Sequence, residues 1–146
     1  MNVLDHLVGN ADTHWKQFVF TAVGTAPRIY SVDHSRSFAS VRNPAIPPSR
    51  DWSVLRVPAL ALDSVNRLRR LQRTDLDRLA VVEEYKVRNG LLVATQPTTP
   101  DEHVDAAVRW SRYQLQVGLT SKEIAFVWDR ILKLRESVER GKVSTF

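Results

Sequence analysis

Two short stretches hold the residues whose types and spacing suit chemistry. In "GNADTHWKQF", Gly9 to Phe18, Asp12 is followed by His14, by Lys16 and, five residues after the aspartate, by the amide of Gln17. In "IYSVDHSRSF", Ile29 to Phe38, a second aspartate, Asp33, closes an apolar run. Phosphoryl transfer from a nucleotide uses such a set. One aspartate orients the accepting hydroxyl, an amide side chain five residues on holds a metal ion, and a second aspartate downstream holds metal as well. Both oxygen arms have to meet at one Mg²⁺ between the triphosphate oxygens, so the segments that carry them must be brought together. The expected catalytic residue is therefore Asp12, with Asp33 and Gln17 as the metal arms. His14 titrates near neutrality and suits proton transfer or a hydrogen-bonded structural role. Lys16 suits phosphate contact or an exposed surface position, and Asn10 suits either the nucleotide or a turn.

The elements around these residues are readable from periodicity. Residues 2–8 carry Val3, Leu4, Leu7 and Val8 near one helical face, and Gly9 is placed to end that helix. "QFVFTAV" and "RIYSV" are β-branched and aromatic runs that read as a hairpin, which delivers Asp33 just downstream of Asp12. "NPAIPPSRDW" holds three prolines and reads as an irregular loop. The remainder reads as helical. "ALDSVNRLRRL" and "TDLDRLAVVEEYKV" have helical spacing, with Thr74 as N-cap of the second. "TPDE" predicts a helix start with Thr99 as cap, Pro100 in the first turn and Glu102 closing a capping box. "TSKE" predicts another, with Glu123 three residues after Thr120. Ile124, Val127, Trp128, Ile131, Leu134 and Val138 follow it as a buried stripe, and Trp110 and Trp128 read as core aromatics. The expected fold class is mainly α with a small β-hairpin, α+β, in one domain over 1–146. Its parts are the catalytic-loop and metal-loop segment (1–40), a proline-rich loop (41–58) and a helical subdomain (59–146).

The two chemical stretches resemble the catalytic-loop and metal-loop pair of the atypical kinases: the HipA-like kinases, the Fam20-type kinases and the phosphatidylinositol 3- and 4-kinases. These share a "D-x-H-x-x-N" catalytic loop and a "D-x-G" metal loop. The resemblance implies a protein-kinase-like C-lobe that uses ATP and Mg²⁺. In it Asp12 is the catalytic aspartate, His14 the histidine that shapes the loop, and Asp33 the principal metal ligand. Phe38 packs beneath the loop. Gln17 stands where that family has asparagine, and Ser35 where it has glycine. Eleven residues precede Asp12, and there is no "G-x-G-x-x-G" in the sequence. A phosphate-covering N-lobe is therefore expected on a partner chain, or lost by truncation. The acceptor is a hydroxyl of a protein, a lipid or a small molecule.

Composition bounds these expectations. The 146 residues are 43% hydrophobic and 25% charged, enough for a core in one globular domain. There is no cysteine, which excludes disulfides and thiolate metal sites. The apolar runs are too short to cross a bilayer and the start lacks a basic leader, so a cytoplasmic protein is expected. His6, His14 and His34 form no i, i+4 pair of the kind that binds zinc on a helix. The net charge of +5 concentrates in "NRLRRLQR", with Arg67, Arg69, Arg70 and Arg73. This stretch reads as the solvated face of an amphipathic helix, and no transmembrane segment accompanies it. It also carries the alternative function, a non-catalytic interaction module that binds an acidic protein or nucleic acid through these arginines. Arg36 and Arg42 follow Asp33 closely and suit either an anionic substrate or the surface.

Overall fold

The computed structural model describes residues 3–10, 15–21, 28–32, 34, 36–46, 59–100 and 105–146. Asp12, His14, Asp33, most of the proline-rich loop and the capping residue Glu102 lie outside them.

The chain forms a mixed α and β structure built on one long helix. Helix α1 (Val3–Val8) leads to a 3₁₀ turn at Trp15–Gln17 and then to strands β1 (Phe18–Thr21) and β2 (Arg28–Ser31). The two strands pair antiparallel, as the two β-rich runs predict, with Phe18 opposite Ser31 and Thr21 opposite Arg28. Helix α2 (Ala39–Arg42) follows, and then β3 (Ala59–Leu60), α3 (Leu62–Arg70) and α4 (Arg73–Asp77). Beyond a 3₁₀ turn at Arg78–Ala80 come four strands: β4 (Glu83–Arg88), β5 (Leu91–Thr95), β6 (Val108–Trp110) and β7 (Gln114–Val117). Helix α5 (Ser121–Glu139) and β8 (Ser144–Thr145) end the chain.

The core follows from α5. Its N-terminus carries the expected capping box: Thr120 Oγ1 accepts from the Glu123 amide at 3.2 Å, and the Glu123 carboxylate accepts from the Thr120 amide at 3.0 Å. The predicted stripe then packs as its period dictates. Ile124, Val127, Ile131 and Leu134 are buried against Val65 and Leu68 of α3, Leu76 of α4, and Phe38, Leu60 and Val143. Trp128 and Val138 pack at its margin. Three arginines fasten elements to this core through backbone carbonyls. Arg135 donates to the carbonyls of Leu68 and Leu71 at the C-terminal end of α3, where a cation also complements the helix dipole. Arg130 donates to the His6 carbonyl at 2.5 Å and so ties α1 to α5. Arg109 donates to the carbonyls of Ala80 at 2.7 Å and Leu119 at 3.0 Å. That pair of bonds docks the sheet onto the 3₁₀ turn after α4.

The helical expectation for 59–146 is corrected across its middle. Glu83–Arg88 is a strand, and β5-β4-β7-β6 form one antiparallel sheet. The turn between β4 and β5 is Asn89-Gly90, both at positive φ (52° and 78°), which is the pairing a two-residue hairpin turn requires. Helix α4 is capped two residues earlier than expected. The capping box uses Gln72 and Asp75, because the Asp75 carboxylate accepts from the Gln72 amide at 2.8 Å. Thr99 and Pro100 are in irregular chain, and β6 lies where a helix was expected to run. Trp110, expected in the core, stands out of it on β6.

The sheet approaches the helices closely at Gly118, just before α5. A Cβ built there would lie 2.1 Å from the Ala80 carbonyl oxygen and 2.7 Å from that of Leu79, both rigid backbone atoms. Gly118→Ala is therefore expected to lower stability by at least about 2 kcal/mol through forced displacement of the 3₁₀ turn. Urea unfolding beside the wild type checks this.

Candidate functional site

The site predicted from sequence is built on the end of α1. The helix stops at Gly9, whose φ of 64° is available to glycine without a Cβ clash. The Gly9 amide donates to the His6 carbonyl at 3.2 Å and the Asn10 amide to the Asp5 carbonyl at 2.9 Å, the paired bonds of a Schellman cap. Asn10 is buried, and its Nδ2 donates to Asp5 Oδ1 at 3.2 Å. The chain returns at the 3₁₀ turn, where Lys16 is exposed and Gln17 is buried. At the base of the hairpin the Val32 amide donates to the Gln17 carbonyl at 2.8 Å. His34 then brings Nδ1 to 3.1 Å from the same Asp5 Oδ1, close enough for an ion pair though off the line of a hydrogen bond.

Asp5 is thus the point at which the two stretches meet. It is fully buried on α1, Asn10 reaches it from just before Asp12, and His34 reaches it from just after Asp33. Its other oxygen, Oδ2, has no hydrogen-bond partner among the described residues, nor do His34 Nδ1, Ser37 Oγ and Ser40 Oγ. All four buried polar atoms without partners belong to α1 or to the segment that follows Asp33. Buried polar groups are nearly always satisfied, so such a concentration marks either a functional site or a place where a ligand or ordered water completes the set. Phe38 adds backbone strain here. A phenylalanine at φ 60° is costly, and burial of its ring edge-on to Phe126, with centroids 6.3 Å apart, holds it there. The Phe38 amide donates to the Val8 carbonyl at 2.8 Å and closes the segment onto α1.

His6, which was weighed only as a metal ligand, serves this scaffold. Arg130 Nη2 lies 3.0 Å from His6 Nδ1; a guanidinium can only donate, so Nδ1 is the accepting nitrogen. Arg42 is paired with the buried Glu123 at 3.0 Å, which answers for its charge without an anionic substrate. Among the described residues no group of three or more His, Asp or Glu side chains stands close enough to hold a metal ion. The arginines of α3 are on its exposed face, Arg67 paired to Asp63 at 2.9 Å, and Arg73 is paired to Asp77 on α4 at 3.1 Å. No helix among the described residues is long and apolar enough to cross a membrane.

Sequence reasoning did not single out two further features. A cavity of about 760 Å³ opens between α4, the chain at 97–100 and the start of α5, with Arg73, Arg78, Thr98, Asp105, Arg109 and Ile124 in its wall. None of Asn10, Lys16 and Gln17 lines it. Asp105 at its edge accepts from the Ser121 amide at 2.6 Å and hydroxyl at 2.7 Å, and the hydroxyl first, then the amide, hold its carboxyl below the ordinary range. Beside the cavity is a satisfied polar knot. Glu84, buried on β4, accepts from Thr98 Oγ1 at 2.6 Å, the Thr98 amide at 3.0 Å and Gln116 Nε2 at 3.0 Å. These donors, with the Thr98 hydroxyl foremost, bring its pKa down from 4.5 to about 2. The one local signal for this knot is the alternation of "EEYKVR", which sets Glu84 opposite in facing to Tyr85.

Comparison with protein-family profiles, with curated proteins and with solved structures gives no match to this chain.

Because the Glu84 pKa is depressed in the fold, its contribution to stability is fully present above about 4.5 and is lost as pH falls toward about 2. Unfolding free energies measured across that window are expected to fall for the wild type and to flatten in Glu84→Gln. Thr98→Val, which removes the strongest donor, is expected to move the loss to higher pH.

Proposed function

We propose that the chain is the large lobe of a kinase-like phosphotransferase that moves a phosphoryl group from Mg-ATP to a hydroxyl acceptor, together with a nucleotide-covering lobe. The observation that supports this reading is the meeting of both chemical stretches on Asp5, whose Oδ2 has no hydrogen-bond partner among the described residues. A phosphoryl-transfer site needs its two oxygen-bearing segments close together and rigidly held. Here the hairpin base, with Val32 on Gln17, and the two contacts to Asp5 provide that constraint on either side of Asp33.

In this reading Asp12 orients the acceptor hydroxyl and takes its proton. Asp33 and Gln17 are the residues that would hold Mg²⁺. Their donor set is oxygen throughout, which suits this hard cation. When bound, Mg²⁺ supplies neutralisation of the triphosphate charge. Lys16, exposed on the 3₁₀ turn, is the cation of this segment that would meet phosphate. Asn10, with its amide nitrogen on Asp5, acts as a positioning residue for the loop. His14 shapes the same loop beside Asp12.

Calorimetric titration with Mg-ATP tests the proposal. The wild-type chain is expected to bind saturably and Asp33→Ala to bind at least about tenfold more weakly, a loss of about 1.4 kcal/mol. Asp12→Ala is expected to keep binding, because the role assigned to Asp12 concerns the acceptor and not the nucleotide. An Asp33→Ala variant that binds as well as the wild type would overturn the reading, and a folded wild type that shows no heat of binding would overturn nucleotide binding by this chain alone, leaving a site completed by the other lobe or the non-catalytic interaction module.

A further inference from the structure

The four-stranded sheet is inverted relative to the usual pattern of polar outside and apolar inside. Residues opposite one another in an antiparallel ladder share a face. The ladder therefore sets Glu84, Thr95, Gln116 and Arg109 together on the face turned to the helices, where Glu84, Gln116 and Arg109 are buried. By the same register the outer face carries Tyr85, Val87, Leu92, Leu115, Val108 and Trp110. Among the described residues none of these belongs to the core or packs against it. Trp110 is 61% exposed, Val108 59% and Leu92 48%, with Tyr113 at 60% in the turn between β6 and β7.

We propose that this outer face is the interface through which two copies of the chain form an isologous dimer. Area and charge both point to a second copy. With an aromatic side chain presenting about 150–250 Å², the exposed fractions amount to roughly 600 Å² of apolar surface per copy, at the top of what a monomer leaves bare. Doubled, this comes to about 1,200 Å², the lower bound of a specific interface. The face is polarised along its strands. Glu83 lies at one end, beside the Tyr85 hydroxyl at 2.8 Å, while Arg112 lies in the turn at the other end, over the Tyr113 ring. A two-fold axis across the strands sets Glu83 of each copy against Arg112 of the other and stacks the apolar centres, so both patches are complementary to themselves. The β5 edge, Leu91–Thr95, carries no charge to oppose that approach.

Sedimentation velocity over a wide concentration range tests this. The wild type is expected to be dimeric, and Trp110→Lys and Leu92→Lys monomeric at every concentration, with circular dichroism confirming that each is folded. Leu132→Lys, an exposed apolar position on α5 outside the sheet, is expected to stay dimeric. Glu83→Arg is expected to weaken association at least about tenfold, and Glu83→Arg combined with Arg112→Glu to recover it. A wild type that stays monomeric throughout would overturn the proposal, leaving the face to another protein, to lipid or to a further segment. A dimer indifferent to the sheet substitutions would overturn it equally.

Discussion

Arg130 leaves the middle of α5 for the interior, where its guanidinium finds the carbonyl and ring nitrogen of His6 on α1. A buried guanidinium without hydrogen-bond partners costs several kcal/mol, so α1 cannot shift without leaving that charge exposed to an apolar surrounding. The same device recurs twice. Arg135 holds the last carbonyls of α3, and Arg109 holds the carbonyls on either side of the junction between sheet and helices. Arg135 and Arg109 each meet two backbone carbonyls and Arg130 meets the carbonyl and ring nitrogen of His6, so each fork of N–H donors engages two acceptors and fixes the distance between two elements. The architecture is thus a long helix with an apolar stripe on one side and cationic ties reaching out to its neighbours.

That arrangement changes what the basic composition means. A formal charge of +5 invites a polyanionic partner. Arg109 and Arg130 are buried, Arg135 is half-buried over the Trp128 ring, and Arg42 is spent on Glu123. Part of the basic excess is internal structure, and only the geometry distinguishes these arginines from the solvated ones of α3. Nothing in their local sequence does so.

What the sequence made legible is what local physics decides. The stop of α1 at Gly9, the pairing of the two β-rich runs as a hairpin and the capping box of α5 each depend on short-range sequence, and all three are present as read. Beyond α4 the helical reading fails at β4, because the apolar residues there fit two periods at once. Leu76, Leu79 and Val82 fall at helical spacing, yet the run that follows alternates, and Asn89-Gly90 is the decisive signal for a hairpin. Facing was also illegible. Alternation tells which residues share a side of β4, but the ordinary rule sends Tyr85 and Val87 inward, whereas the ladder of Glu84, Gln116 and Thr98 draws the other side in. Trp110 was carried outward with them.

The two buried carboxylates show why the chemical stretches stand apart from the rest of the molecule. Glu84 has both oxygens occupied, and its low pKa reflects donors that prefer the anion, so it behaves as a closed structural knot. Asp5 is as deeply buried, yet one oxygen takes both the Asn10 amide and the approach of His34, while the other has no partner among the described residues. A half-satisfied carboxylate costs more than either a full network or an apolar substitute. Its partners lie five and twenty-nine residues away in sequence, which is why no local pattern announced it. The segment after His34 adds strain at Phe38 and the unpartnered hydroxyls of Ser37 and Ser40. Glu84 is satisfied in this way and Asp5 is not, and among the described residues the buried polar atoms without partners lie on α1 and between His34 and Ser40.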